Sequence, residues 1–284
     1  MPHLKPWGLL VPALFLVNGC TLISSWAGPQ TIDPELRAEV ADKAFNYQDY
    51  NAVLKTYVQD GFVDYQTLQQ NRTQLDRFAA ALAVVTNSTY ESWTEAEQIA
   101  FWINAYNAFT LQSIINQQSL PKSIKNIPGV WKIQQHQVLG EGKTLEEIEH
   151  SILRKEFDEP RIHAALVCAA VSCPNLRDEP FTGERLNEQL DDQSTQFITT
   201  EDKGLTISRE EGIVYLSAIF DWFGKDWLSQ YRVTDKQFAG NEAERAVLAF
   251  VSDYLTPEDA EYLAEGDYKV RYLNYDWALN KQSG

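Results

Sequence analysis

Basic residues are scarce in this sequence: 24 Lys and Arg stand against 40 Asp and Glu, for a formal net charge of −16 at pH 7. Binding to nucleic acid requires a basic patch that neutralises phosphates, and the sequence contains none. The same shortage disfavours electrostatic attachment to an anionic membrane surface. The composition therefore argues against nucleic-acid partners, and the acidity is more typical of a protein kept soluble by its charge.

The N-terminal apolar run is too short to cross a bilayer as a helix. It extends from about Trp7 to Val17, follows Lys5 and ends at Asn18-Gly19-Cys20. This pattern resembles a bacterial lipoprotein signal with Cys20 as the lipidated residue. We therefore expect a lipid anchor in the bacterial cell envelope, on the periplasmic or outer side of a membrane. The alternatives are ordinary cleavage near Ala27 and an uncleaved anchor.

Repeats, low-complexity tracts and clean linkers are also missing after residue 30. The composition is otherwise that of a globular protein, 44% hydrophobic with eight Trp, which is enough for a sizeable core. We predict a signal peptide over residues 1–20, a tether over residues 21–30 and a single globular domain over residues 31–284.

Only three cysteines are present, and two of them, Cys168 and Cys173, lie in the stretch RIHAALVCAAVSCPNL at residues 161–176. Its nearly continuous apolar residues predict a buried strand or a buried helix, which periodicity alone does not distinguish. Cysteines five apart point to opposite faces of a strand and lie roughly 140° apart around a helix. Either geometry disfavours a direct disulfide, whereas a loop beginning near Ser172 would permit one. An exported protein meets an oxidising compartment, so a disulfide is a real alternative to free thiols.

The strongest helix signal is EAEQIAFWINAYNAFTLQSIINQ, which follows Thr94 and contains no Gly or Pro. A helix that is apolar all round is buried. Asn104 and Asn107 lie on one face of this helix, and buried amides need hydrogen-bond partners. They either tie the helix to a loop or line a binding site, and the first interpretation is favoured.

A second helix is predicted over TLEEIEHSILR, where Thr144 and Glu147 make a capping box. It carries Glu149 and His150, which are candidates for a base or for a group that orients one. The alternative is a solvated Glu and a hydrogen-bonded structural His. Alternating patterns predict strands at residues 131–138, 205–208, 212–216 and 268–275. Together these elements predict an α+β fold, a single mostly helical domain with a small antiparallel sheet.

Four segments occur in an order that resembles the bacterial branch of domain of unknown function family 547: FWINAYNAF, TLEEIEHSILR, RIHAALVCAAVSCPNL and the terminal YDWALN. The similarity extends from about Tyr47 to Asn280. The resemblance implies one domain, exported or lipoprotein-type members, and a relation to papain-like thiol hydrolases, but no settled activity. Matched residue by residue, the family pattern implies functional positions at Asn104, Asn107, Glu149, His150, His163, Cys168, Cys173, Asp276 and Trp277.

Cys173 is the preferred candidate nucleophile, because the apolar run stops at Pro174 and the ends of elements are accessible. Thiol catalysis needs a thiolate, a base within hydrogen-bond reach and a group that orients the base. His163 or His150 would be the base, with Glu149 or an Asn orienting it. All four histidines precede Cys173, so papain's order of Cys then His is absent and a permuted papain-like core would be required.

Ser172 and Asn175 flank Cys173 and are candidate donors to an oxyanion. We place Asn175 among the residues predicted to bind substrate, which are Asn104, Asn107, Asn175, Asp276 and Trp277.

Two other functions compete with a thiol enzyme. The first is a non-catalytic envelope binding protein whose Cys168 and Cys173 are structural or disulfide-bonded. The second is a zinc site formed by these two cysteines with His150 and His163, which matches a zinc ligand count but not the usual His spacing. We expect neither a metal nor a cofactor.

The sequence thus predicts an exported lipoprotein that is a thiol-dependent hydrolase or transferase. Cys173, assisted by Cys168, His163, His150 and Glu149, would act on amide or thioester bonds. The expected partners are a membrane, through the lipid anchor, and a small-molecule or peptide substrate.

Overall fold

The computed structural model describes residues 31–234 and 237–283. The predicted signal peptide with Cys20 and the whole predicted tether therefore lie outside the described residues. Within the described part, no helix combines the length and the apolar character needed to cross a membrane.

Helices make up most of the fold, and several begin at side-chain caps that are visible in the sequence. At the start of the longest one, the Thr94 hydroxyl accepts from the Glu97 amide while the Glu97 carboxylate accepts from the Thr94 amide, which is a capping box. The helices are α1 Pro34–Ala41, α2 Gln48–Tyr57, α3 Tyr65–Gln70, α4 Thr73–Val84, α5 Asn87–Glu91, α6 Glu95–Ile115, α7 Arg154–Glu156, α8 Ile162–Ala165, α9 Leu186–Thr199, α10 Ala218–Phe223, α11 Leu228–Tyr231, α12 Glu242–Ser252 and α13 Pro257–Glu265.

The predicted second helix forms, but most of it is wound more loosely than an α-helix. Thr144 and Glu147 make the predicted capping box, and the chain then forms a π-helix over Glu147–Leu153 that continues into α7. π-helical turns are rare and occur frequently at functional sites. Short 3₁₀ turns also occur, at Ile124–Asn126, Gly183–Arg185 and Gly224–Trp227.

The strands form three small sheets. Two of the sheets are antiparallel hairpins, and the third has three strands in the order β5-β6-β7. The strands are β1 Val58–Gln59, β2 Phe62–Val63, β3 His136–Val138, β4 Glu141–Lys143, β5 Leu205–Ser208, β6 Ile213–Leu216 and β7 Lys269–Tyr272.

Two strand predictions need correction. The strand expected from Trp131 begins only at His136, because the amides of Ile133 and Gln134 both donate to the Gly129 carbonyl and fold that part into a turn. The sheet at the C-terminus is mixed, because β5 and β6 are antiparallel whereas β7 pairs parallel to β6. Helices α10 to α13 lie between β6 and β7 in the chain and allow β7 to return in the same direction.

Two hydrophobic clusters fill the interior. The first surrounds α6, which is buried from Ile99 to Ile115 as its sequence predicts. The second lies between the three-stranded sheet and helices α10 and α12. Tyr275 packs against both clusters, so the C-terminal segment lies where they meet.

These elements confirm the α+β prediction of a mostly helical chain with small sheets. The permuted papain-like core stays a hypothesis, and so does the single domain over residues 31–284.

Candidate functional site

Cys168 and Cys173 lie on a loop and not on the regular element that the apolar run predicted. Helix α8 ends at Ala165, and the chain from Leu166 to Cys173 forms neither a long helix nor a strand. Ala169 adopts a left-handed backbone conformation with φ of 59°, which lets the loop turn sharply. A left-handed backbone conformation costs a residue other than glycine roughly 1–2 kcal/mol, so contacts with the surrounding chain must stabilise it.

The C-terminal segment supplies those contacts. The Asn280 amide donates to the Ala169 carbonyl at 3.1 Å, the Val171 amide to the Ala278 carbonyl at 2.9 Å, and the Ser172 amide to the Asp276 carbonyl at 3.2 Å. The Asp276 amide in turn donates to the Ser172 hydroxyl at 2.8 Å. The terminal YDWALN segment therefore fixes the backbone of the cysteine loop.

This loop brings the two sulfur atoms into contact. Cys168 Sγ and Cys173 Sγ lie 2.7 Å apart, and both cysteines are free. The Cys168 amide donates to Cys173 Sγ at 2.8 Å, and the Tyr275 hydroxyl lies 3.2 Å from Cys168 Sγ. We call Cys168, Cys173 and Tyr275 the sulfur wall.

The two thiols differ in acidity. Burial opposes ionisation of Cys173, but hydrogen bonds from Cys168 and Tyr275 outweigh it and lower the pKa of the Cys173 thiol. The hydrogen bond to Cys173, together with burial, raises the pKa of Cys168 well above its ordinary value. A single negative charge shared by the pair therefore resides on Cys173.

A pocket of about 320 Å³ opens beside the sulfur wall. It is lined by both cysteines and Tyr275, by the carboxyls of Glu146 and Glu149, by Lys132, by two imidazoles and by several aromatic rings. We call Glu149, His150 and His163 the acid–imidazole wall, and Trp131, Trp222 and Trp277 the aromatic wall.

Glu149 is positioned by the π-helix and by a tyrosine of α6. Its carboxylate accepts from the Tyr106 hydroxyl at 3.1 Å, and its side chain is only 13% exposed. Burial raises the pKa of Glu149 to about 7. The group can therefore carry or release a proton near neutral pH, as an acid–base catalyst must.

His163 is held in a buried ion network that the sequence did not reveal. Its Nε2 lies 2.8 Å from Asp226, and Asp226 also accepts two hydrogen bonds from Arg154, at 2.6 and 2.9 Å. The ring stacks on Phe223 with 4.4 Å between centroids. Burial opposes ionisation of Asp226, but the hydrogen bonds from His163 and Arg154 outweigh it and lower the pKa of the carboxyl.

The proton on His163 can be assigned from these partners. Burial lowers the pKa of His163, so the ring is neutral at pH 7. Because Asp226 is an ionised acceptor, Nε2 carries the hydrogen and Nδ1 is the nitrogen that can accept a proton. Within the described part of the chain, no hydrogen bond joins either sulfur to an imidazole.

His150 is the more exposed imidazole of the pocket, with 37% of its side chain accessible. Its Nδ1 lies 3.1 Å from an Arg154 nitrogen. Partial burial and the charge of Arg154 lower the pKa of His150. It therefore accepts a hydrogen bond from Arg154 as a neutral ring.

The aromatic wall comes from three separate parts of the chain. Trp222 stacks on Trp277 at 5.9 Å and lies 4.9 Å from the Tyr275 ring, while Trp131 meets Trp277 edge-on at 6.1 Å. Trp222 keeps 45% of its surface exposed. Exposed aromatic rings of this kind are ready to pack against a planar or apolar group.

The asparagines of α6 do not line this pocket. Asn104 donates to the Phe181 carbonyl and accepts from its amide, and Asn107 does the same for the Ala165 carbonyl and the Val167 amide. The interpretation that they tie α6 to loops is confirmed, and their position does not support the predicted contact with substrate. Asn107 nevertheless fixes the start of the cysteine loop.

Two further predicted binding residues also serve the scaffold. Asn175 accepts from Lys203 at 2.7 Å and lies outside the pocket lining. The Asp276 carboxylate accepts from the Ala278 amide. Of the five residues predicted to bind substrate, Trp277 is the one that lines the pocket.

The zinc alternative finds no geometric support in residues 31–234 and 237–283. No group of three or more His, Cys, Asp or Glu side chains is arranged there to hold a metal ion. The imidazoles contact Asp226 and Arg154, whereas the sulfurs contact each other.

Comparison with known proteins gives a family match over part of the chain and no activity. Residues 90–198 match the family model described as "Protein of unknown function, DUF547", which confirms the resemblance for that segment. The match includes the cysteine loop, Glu149, His150 and His163, whereas Asp226 and the C-terminal YDWALN lie beyond it. Neither a curated protein nor a solved structure matches the chain.

Proposed function

We propose that this chain is a thiol-dependent hydrolase or transferase that attacks amide or thioester bonds through the Cys173 sulfur. The observation that carries the proposal is that this sulfur faces a pocket while in contact with a second thiol that stabilises its thiolate. The thiolate is the nucleophilic form of cysteine. A carboxyl with a pKa of about 7 lines the same pocket and supports acid–base chemistry there.

The reaction would proceed by covalent catalysis. The Cys173 thiolate forms a bond to the carbonyl carbon of the substrate, and the electron pair of the carbonyl moves to its oxygen. When the intermediate collapses, the bond to the leaving nitrogen or sulfur breaks, and protonated Glu149 supplies the proton to the leaving group. Water or a second nucleophile then attacks the acyl-cysteine and gives its proton to the Glu149 carboxylate left by the first step. The carbon–sulfur bond breaks and the Cys173 thiolate is released.

His163 supports this chemistry through its pairing with Asp226. A base needs a third group that fixes its ring and its tautomer, and Asp226 takes the orienting role that the sequence analysis assigned to Glu149 or an Asn. The order along the chain is His163, Cys173, Asp226, which is permuted relative to papain.

Acyl transfer can be tested with an activated thioester, phenyl thioacetate, on the reduced full-length chain. Trypsin cuts after Arg161 and Arg177, so Cys168 and Cys173 fall in one peptide, residues 162–177, which separates them from Cys20. We expect an acetyl adduct on Cys173 in this peptide and catalytic release of thiophenol.

The matched variants are Cys173→Ser and Cys168→Ser. The first should lower kcat/KM by roughly 10³-fold or more, whereas the second should retain the adduct. Equal acetylation of both variants, or none of the reduced wild type, would refute acyl transfer at Cys173.

A second candidate function is non-catalytic binding in the envelope. It is favoured by the aromatic wall, where exposed Trp222 stacks beside Trp277. Such a protein would bind planar or apolar ligands with unchanged affinity after Cys173→Ser. Quenching of Trp fluorescence by phenyl-containing ligands, without turnover in the wild type, would support this candidate.

We further propose that Cys20 carries a lipid that anchors the chain in the cell envelope. The supporting pattern is the short apolar run that ends at Asn18-Gly19-Cys20. Partition of the wild type into detergent, and of Cys20→Ala into the aqueous phase, is the expected result. Equal partition of the two forms would contradict the anchor.

A further inference from the structure

We propose that Cys168 and Cys173 also form a dithiol–disulfide pair that exchanges with small thiols and disulfides entering the pocket. This redox activity goes beyond acyl transfer and does not require it. The first support is geometric: the two sulfurs are in contact at 2.7 Å, both are free, and both line the pocket.

The loop holds this arrangement in the reduced chain, before any bond forms. The Cys168 amide donates to Cys173 Sγ, the Cys173 amide donates to the Ala170 carbonyl, and the C-terminal segment binds the intervening residues. Because backbone hydrogen bonds already juxtapose the sulfurs, oxidation requires little ordering of the chain. Preorganisation of this kind favours closure of a bond between the two groups.

The two sulfurs have complementary properties. Cys173 has the lowered pKa and Cys168, which is partly exposed, has the raised one, so a thiolate formed by the pair lies on Cys173 and the proton on Cys168. In the disulfide form, an incoming thiolate attacks Cys173 and expels Cys168, which takes up a proton. A second thiolate then attacks the outer sulfur of the mixed disulfide and expels the Cys173 thiolate, whose lowered pKa makes it a good leaving group.

The reverse reaction oxidises the pair with a small disulfide, RSSR, as the oxidant. The Cys173 thiolate attacks one sulfur of RSSR, a mixed disulfide forms, and RS⁻ leaves. The Cys168 thiol passes its proton to RS⁻ and attacks the Cys173 sulfur, which expels a second RS⁻. The chain loses two electrons and one proton, and RSSR becomes one RSH and one RS⁻.

The redox state also controls the proposed acyl chemistry. Cys173 cannot attack a carbonyl while it is bonded to Cys168. An oxidised chain is therefore inactive toward phenyl thioacetate, and reduction restores the reaction.

The test equilibrates the full-length chain with reduced and oxidised glutathione at a series of ratios, followed by acid quenching and alkylation. Peptide 162–177 then reports both cysteines at once. We expect two forms, doubly alkylated and unalkylated with two fewer hydrogens, that interconvert through one transition. A peptide that stays doubly alkylated in excess glutathione disulfide, or that accumulates singly blocked forms, overturns the proposal.

Variants assign the direction of exchange. Cys168→Ser should trap glutathione on Cys173, because no second thiol is present to resolve the mixed disulfide, and Cys173→Ser should react at least about 10-fold more slowly. Equal rates for the two variants overturn the assigned roles. The wild-type transition is measured without any substitution and without a thioester, so failure of acyl transfer and failure of thiol–disulfide exchange are distinguishable.

Discussion

The sulfur wall and the acid–imidazole wall of the pocket are built by different forces. Backbone hydrogen bonds position the sulfur wall, because the loop from Leu166 to Cys173 is tied to the segment Asp276–Asn280 by amides and carbonyls. Side-chain contacts position the acid–imidazole wall, through Tyr106 on Glu149 and through Asp226 on His163. The first wall should therefore tolerate single side-chain changes, whereas the second should be sensitive to them.

The difference also concerns charge. In the sulfur wall, a neighbouring thiol lowers the pKa of Cys173, while the acid–imidazole wall depends on a half-buried ion pair between Arg154 and Asp226. Removing one partner from a buried ion pair leaves the other charge uncompensated, which costs far more than losing an exposed pair. The comparison can therefore be tested by changing one wall at a time.

The largest effect is expected for Asp226→Asn. This change leaves Arg154 without its opposite charge and alters the partner of His163. Because Arg154 and Asp226 are only half-buried, we expect the free energy of unfolding in urea to fall by roughly 3 kcal/mol, the lower end of the range for buried pairs. The alkylation rate of Cys173 in the folded variant should stay within about threefold of wild type, since backbone contacts hold the sulfur wall.

Asp178→Asn is the matched control. Asp178 pairs with Lys55 at the surface, where both side chains are more than half exposed, and the variant should lose no more than about 0.5 kcal/mol. Similar losses in the two variants would show that the acid–imidazole wall does not depend on the ion network.

Glu149→Gln should change stability in a pH-dependent way. Because the folded pKa of about 7 lies above the ordinary value, the fold favours the protonated carboxyl. The stability that this preference contributes is complete below about pH 4.5 and is lost as the pH rises through 7. The two proteins should be similar at low pH, and at pH 8 the variant should be more stable by on the order of 3 kcal/mol.

Urea unfolding from pH 4 to pH 8 measures this difference. Exposed Glu261 provides the control substitution Glu261→Gln, which removes the same formal charge at the surface. A constant difference between wild type and Glu149→Gln across the range would mean that Glu149 titrates as an ordinary carboxyl.

The sequence predicts the local features of the site well. The capping box at Thr144 depends on a residue three positions away, and it forms. The buried character of α6 follows from its all-round apolar pattern, and the need to satisfy Asn104 and Asn107 follows from that burial.

The conformation of the cysteine loop and the position of Asp226 depend on long-range contacts, which the sequence does not predict. The cysteine loop requires a left-handed Ala169, which bonds to Asn280 more than a hundred residues away. The periodicity of the sequence reflects only the apolar run, not these distant contacts, and therefore favours a strand or a helix. The role of Asp226 could not be predicted either, because the acidic and aromatic run IFDWFGKDW is also typical of a packed surface turn. The general rule that charged residues are seldom buried without a partner indicates only that an Asp among aromatic residues needs a partner, and not which one.

Trp222→Ala separates the aromatic wall from the two chemical walls. The rings of Tyr275 and Trp277 lose a stacking neighbour, and a phenyl group on the substrate loses a contact of about 1 kcal/mol. We expect KM for phenyl thioacetate to rise about fivefold with kcat nearly unchanged. Ile133→Ala, at an exposed apolar residue outside the pocket lining, should leave both constants unchanged. A fall in kcat alone would instead place Trp222 in the chemistry.

The smallest effect is expected for Ser172→Ala, which removes a side-chain contact between the cysteine loop and the C-terminal segment. The variant loses the acceptor for the Asp276 amide, which should cost about 1 kcal/mol of unfolding free energy. Ser92→Ala, whose hydroxyl bonds only within its own exposed turn, should cost less. Because backbone bonds at Ala169 and Val171 still hold the loop, the glutathione ratio at half-oxidation of peptide 162–177 should shift by less than about threefold. A larger shift would show that side chains, and not the backbone, keep the two sulfurs together.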